Sequence, residues 1–190
     1  MIKALIVSEG PHDRAVEDLV RRLVTLPLEA DHDRVSNPLI HAHHGKGQGF
    51  FKRLVRWIRE AKRRGYDALV LVIDRDGDPE RVRQVDRVQE YTVVEFPRAL
   101  GVAIESFDAW MLADEKALSA VLGYSVARQK SPESIGKPKQ VCEHLLASSS
   151  LDLPQRDMYR AICDAVDIGK LTRRCPKGFQ PFAARVRALF

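Results

Sequence analysis

Cysteine is scarce in this chain. Only Cys142, Cys163 and Cys175 occur among 190 residues, widely spaced and with no Cys-x-x-Cys pair. That count argues against a zinc ribbon or a disulfide framework and leaves reduced thiols in a cytoplasmic protein as the expectation. Long apolar runs are missing too, and nothing approaches the roughly 20 residues of a membrane span. The first residues, Met1 to Val7, enter strand-like sequence at once, without the apolar stretch and cleavage site of a secretory signal. A strong charge of one sign is also lacking. Lys and Arg number 31 against 26 Asp and Glu, a net charge of +5. So mild an excess names no partner, and its distribution matters more than its size. Strand signals stop near residue 120, and no internal repeat or low-complexity tract interrupts the chain.

What is present is an α/β alternation. Ala4 to Val7 reads as a buried strand, broken by Ser8-Glu9-Gly10-Pro11. Gly10 suits an N-cap and Pro11 a first helical position. Val16, Leu19, Val20, Leu23 and Val24 follow at helical spacing, which predicts a helix over 11–25. The polar stretch Glu29 to Asn37 reads as a loop and Leu39 to Ala42 as a short second strand. Phe51, Leu54, Val55 and Ile58 mark a helix over 50–64. Ala68 to Ile73 is six apolar residues without a break, a strand buried on both faces. An exposed helix over 80–91, an edge piece at Val93–Phe96, a strand at Gly101–Ile104 and a helix from Ser106 to Leu118 complete the pattern. Helices are expected over 139–148, 155–167 and 179–189. The expected fold is a mostly parallel sheet with helices on both faces over residues 1–120. A helical extension over 121–190 packs on it.

The chemistry collects at strand ends. Asp74-Arg75-Asp76-Gly77-Asp78 closes the most apolar strand, at the edge where open α/β sheets form their ligand crevices. Asp74 and Asp76 project to one side if the strand continues, and paired carboxylates suit Mg²⁺. A solvated Asp/Gly turn is the simpler alternative. Glu9 ends the first strand, so parallel pairing brings it to the same edge, as a metal ligand or a general acid/base. Glu105 ends the fourth strand, and Asp108 lies in the turn after it. The two could hold a second cation, although Asp108 also suits a helix dipole. His41-Ala42-His43-His44-Gly45-Lys46-Gly47 has His-x-His spacing but no identifiable third ligand. It is not a Walker A loop, and Lys46 with the loop amides is a phosphate-contact candidate. The 50–64 helix carries Lys52, Arg53, Arg56, Arg59, Lys62, Arg63 and Arg64 against Glu60 alone. Such a face is either solvated or a footprint for backbone phosphates, with Arg56 and Arg59 as test positions and Lys170 among those extending it. An EF-hand is excluded by Pro79 and Val85, which stand where that loop needs glycine and glutamate.

The stretches Ile6 to Asp13 and Val72 to Asp78 resemble the Toprim domain of topoisomerases, bacterial primases and overcoming-lysogenization-defect nucleases. Ile104 to Asp114, Lys137-Pro138-Lys139 and Gly178-Phe179 are similar to a small stand-alone Toprim-like family often encoded beside ATPases. The core resemblance covers roughly residues 1–110. It implies a Toprim-like, Rossmann-like sheet and Mg²⁺- or Mn²⁺-dependent phosphoryl transfer on nucleic acid. It further implies Glu9 as the acid/base, Asp74 and Asp76 as metal ligands, and an ATPase partner in a defence system. A Toprim-fold regulatory module that pairs with an ATPase and does not cut is the alternative. No tyrosine-nucleophile domain or primase zinc module accompanies these motifs.

Overall fold

A computed structural model describes residues 1–10, 12–38 and 49–190. Among them, strands β1 (Ile2–Ser8), β2 (Leu28–Arg34), β3 (Ala68–Asp74) and β4 (Arg98–Ala103) form one sheet in the order β2-β1-β3-β4. Every pairing is parallel, with Ala4 opposite Ala30 on one side and Ala68 on the other, and Leu71 opposite Leu100. β1 and β3 are therefore central, and this explains their unbroken apolar sequence. All carboxyl ends lie on one edge.

The two faces of the sheet are filled differently. Leu5, Val7, Leu69, Leu71, Ile73 and Leu100 pack against Trp57 and Ile58 of α2 (Phe50–Arg63) and Val85 and Val88 of α3 (Glu80–Gln89). Their sequence neighbours Ala4, Ile6, Ala68, Val70, Val72 and Ala99 point to the other face, as strand alternation requires. That face is covered by α1 (Val16–Leu23) and by helices later in the chain. These are α4 (Asp108–Met111), α5 (Glu115–Leu122), α6 (Pro138–Ala147), α7 (Gln155–Ala165), α8 (Ile168–Arg174) and α9 (Phe179–Leu189). Trp110, Tyr159, Phe179 and Phe182 are fully buried there. Each large apolar side chain so buried contributes ~1.5–3 kcal/mol. Close approach depends on a glycine: a Cβ at Gly101 of β4 would lie 2.6 Å from Cδ2 of Phe182. Residues beyond 121 thus complete the second face.

The edge strand departs from expectation. Leu28–Arg34, polar enough to read as a loop, is β2, because an edge strand pairs on one side only and leaves most side chains in water. The strand expected at Leu39–Ala42 lies outside the described residues, as does Pro11. Val93–Phe96 forms no strand. The Arg98 guanidinium instead gathers the carbonyls of Gln89, Tyr91, Val94 and Phe96. The helix expected over Ser106–Leu118 is broken at Asp114, whose side chain caps α5 by accepting from the Lys116 and Ala117 amides. A short helix not expected from the sequence, α8, includes Gly169, and Asp167 caps it. No helix among the described residues is long and apolar enough to cross a membrane.

Candidate functional site

The sheet register brings Glu9 and Asp74 together. Glu9 follows β1, Asp74 ends β3, and a Glu9 Oε2 accepts the Asp74 amide at 3.0 Å. Asp74 points its Oδ1 at the amide of Phe107, 2.8 Å away at the start of α4. Beyond Asp74 the backbone keeps pairing. The Arg75 amide donates to Ala103 and the Asp76 amide to Glu105. Asp76 and Glu105 both take a left-handed backbone, with φ of 52° and 61°. Two adjacent non-glycine residues held this way store strain at a polar edge, about 1–3 kcal/mol each.

Asp13 is a member of the cluster that sequence reasoning passed over. It stands in the turn before α1, only 8 % exposed, and accepts the Gly10 amide at 2.7 Å. Burial drives its pKa up to about 6, helped by Asp108 and Glu9 against the Gly10 hydrogen bond and Lys139. Asp74 rises further, to about 8, through burial first and then the nearby Asp13, Glu9 and Asp108 carboxylates, against the Phe107 hydrogen bond. Without a cation the protein keeps protons among these acids near neutral pH. Glu9 and Asp13 are four apart across a strand-to-helix turn, a spacing that could have flagged Asp13.

Asp108 is also 8 % exposed, and both its oxygens are engaged. Ser106 Oγ donates to Oδ2 at 2.6 Å, and the Tyr159 hydroxyl donates to Oδ1. Tyr159 reaches it from α7, and burial holds that phenol well above its ordinary value. No local pattern in the sequence points to Tyr159.

The exposed half of the edge is supplied with arginine. Arg81, in the first turn of α3, donates to the Asp74 carbonyl at 2.8 Å and meets Glu9 at 3.3 Å and Asp76 at 3.6 Å. Arg75 pairs with Glu105. Asp76 is 76 % exposed along its side chain. A cleft of about 590 Å³ opens over Asp74, Asp76, Glu105 and Asp108, and Lys137 and Lys139 also line it. Acids and amines therefore line one space open to solvent.

Two expected phosphate contacts lie elsewhere. Arg56 is only 4 % exposed and is not presented to solvent. Lys170 lies in α8, 2.7 Å from Asp114 and 2.9 Å from Glu115, where it ties two helices together. Arg59 is exposed on α2. Lys46 and the His-x-His motif lie outside the described residues.

The donor chemistry suits a hard divalent cation. Every candidate ligand is a carboxylate oxygen, and burial and the neighbouring acids raise Asp74, and less so the adjacent Asp13, toward the protonated form that a cation would displace. The ligands are not gathered in advance, however. Among the described residues no group of three or more His, Cys, Asp or Glu side chains is placed to hold a metal ion. Compared with protein-family models, curated proteins and solved structures, the chain matches none.

Proposed function

We propose that this chain is a Mg²⁺-dependent phosphoryl-transfer protein of the Toprim class, a nuclease acting on DNA or RNA. The single observation that carries the reading is the coupling of buried Asp13 and Asp74 with Glu9 at the carboxyl edge of a parallel sheet. Buried like charges are costly unless something compensates them. Asp74 at the end of β3 and Asp76 just beyond it are the ligands, with Glu105 and Asp108 beside them for a second cation. A bound divalent ion supplies charge neutralisation at the phosphoryl oxygens. The chain's own residues do the rest. Glu9, held by the Asp74 amide, exchanges a proton with the attacking or leaving oxygen. Lys137 and Lys139 line the same cleft and orient the phosphate. Partnership with an ATPase in a defence system belongs to the same proposal and rests on the sequence resemblance.

One observation favours a second reading, a non-cutting regulatory module that pairs with an ATPase. Arg81 and Arg75 already neutralise Glu9, Asp76 and Glu105 with fixed guanidinium groups. Calorimetry with Mn²⁺, run beside a cleavage assay on single- and double-stranded DNA and RNA, separates the two readings. The enzyme reading expects divalent affinity in the millimolar range or better, at least about −4 kcal/mol, and cleavage lost in Asp74→Asn. Absence of both in the wild type overturns it.

A further inference from the structure

A second cleft, of about 420 Å³, lies between the N-terminal turns of α2 and α3. Phe50, Phe51, Lys52, Arg83, Gln84 and Arg87 are among its walls. Its composition is unusual for a surface depression: two adjacent phenyl rings remain partly exposed, each against a cation. Arg53 lies 5.8 Å and Arg81 5.3 Å from the centre of the Phe50 ring, and Arg87 lies 5.3 Å from that of Phe51. The rings are also fixed in place. The Phe51 amide donates to Gln84 Oε1 at 3.0 Å, and Tyr91 meets the Phe51 ring edge-on at 5.3 Å.

The charge around the rings is unbalanced. Lys52, Arg53, Arg83 and Arg87 are exposed. Glu80 also lines the cleft, where Arg83 meets it at 2.6 Å, and Asp86 is engaged by Arg185 at 2.7 Å, so Lys52, Arg53 and Arg87 carry the excess positive charge. Glu60, the acid of α2, is fully buried. A polyanion is the complementary partner. The rings then decide its state. Cations alone serve a duplex as well as a single strand, but aromatic faces interleaved with arginine offer stacking that only an unpaired base can use.

Arg81 joins this cleft to the acidic edge. The same guanidinium that lies on the Phe50 ring sits 3.3 Å from Glu9. A strand seated in the cleft therefore arrives beside the carboxylates within the reach of one side chain. We infer that the cleft between α2 and α3 seats an unpaired nucleotide of a single-stranded nucleic acid. Its base lies against Phe50 and Phe51, and its flanking phosphates lie on Lys52, Arg83 and Arg87. This rests on the phosphoryl-transfer reading for its orientation but not for its binding.

The test is fluorescence anisotropy in EDTA, so that binding is read without metal or cleavage. The probes are DNA and RNA oligonucleotides of about 20 nucleotides, more than one site of this kind covers, each single-stranded and as its duplex. The single strands are expected to bind at least tenfold tighter than the duplexes, and the DNA and RNA arms show which sugar is preferred. Arg83→Ala combined with Arg87→Ala should weaken single-strand binding and reduce the slope of log K against log salt by about 1.4, two contacts at about 0.7 each. Phe50→Ala should weaken it roughly tenfold, as loss of one stacked base does, with the slope unchanged. Equal or tighter duplex binding, or arginine variants that leave affinity and slope unaltered, overturns the inference. Thermal melts of the variants confirm that they fold. Failure of the catalytic reading looks different: Asp74→Asn and the wild type would both bind the strand and neither would cut it.

Discussion

The acidic edge has two halves, and they are neutralised by different means. The inner half, Asp13, Asp74 and Asp108, is buried, fixed by backbone amides and hydroxyls, and short of positive charge, so two of its pKa values rise. The outer half, Asp76 and Glu105, faces solvent on strained backbone and is paired with arginine. Proximity to other acids is common to both. Supply of a counter-charge is what separates them. The inner half has donors that position its oxygens and little that cancels their charge, the condition in which a carboxylate gains most from a cation.

The sharpest way to break the contrast is Asp74→Asn. Asparagine keeps an oxygen for the Phe107 amide and removes the most strained charge. Metal-dependent cleavage should vanish, while the metal-free protein should be more stable at pH 8 by on the order of 2 kcal/mol, read by chemical denaturation. A loss of stability would mean that the inner carboxylates are not in conflict.

The pH dependence of the wild type is the next largest effect. Asp74 and Asp13 bind protons more tightly folded than unfolded. The stability they add is complete below their ordinary value of 3.8 and is lost as pH rises through about 6 for Asp13 and about 8 for Asp74. The melting temperature of metal-free protein should therefore fall between pH 5 and pH 8.5 more steeply than that of Asp74→Asn. Millimolar Mg²⁺ should restore it at the alkaline end only in the wild type. Parallel curves for the two proteins would remove the distinction between the halves.

Arg81→Ala tests the outer half. Its loss frees Glu9 and Asp76, costs about 1 kcal/mol in the metal-free protein as a partly exposed charge pair does, and should tighten Mn²⁺ binding several-fold in calorimetry. Weaker Mn²⁺ binding would mean that Arg81 organises the site instead of competing for it. The smallest effect is expected from Glu105→Gly. Relief of the left-handed backbone and loss of the Arg75 pair offset each other, leaving stability within about 1 kcal/mol of wild type. A large drop in the denaturation midpoint would show that the Arg75 pair holds the turn.

The strand ends were readable because β3 announces itself: six apolar residues stop at Asp74, and parallel pairing carries Glu9 and Glu105 to the same edge. β2 was not, since alternation fades where one flank is solvent and Asp31, Asp33 and Arg34 are tolerated. Nor was the break at Asp114, because capping depends on a side chain turning back on its own backbone. Within the site, Asp13 and Arg81 lie one turn from the recognisable motifs, and their roles depend on how the turn closes. Arg56 carries the same charge as Arg59, yet Arg56 is buried and Arg59 lies in water, a difference that their similar positions around the helix do not announce. Tyr159 enters from a separate helix, through packing that no short pattern encodes.

The hydrogen bond from Tyr159 to Asp108 has a consequence for the order of events in the cell. The two residues are 51 positions apart, and the tyrosine belongs to the last third of the chain. A ribosome-bound chain emerges from its N-terminus, so Glu9, Asp13 and Asp74 are all made well before the hydroxyl that fixes Asp108. The acidic edge is consequently finished late, after α7 docks. Any cutting activity that depends on it is withheld from the nascent chain until Tyr159 and its helix have been made.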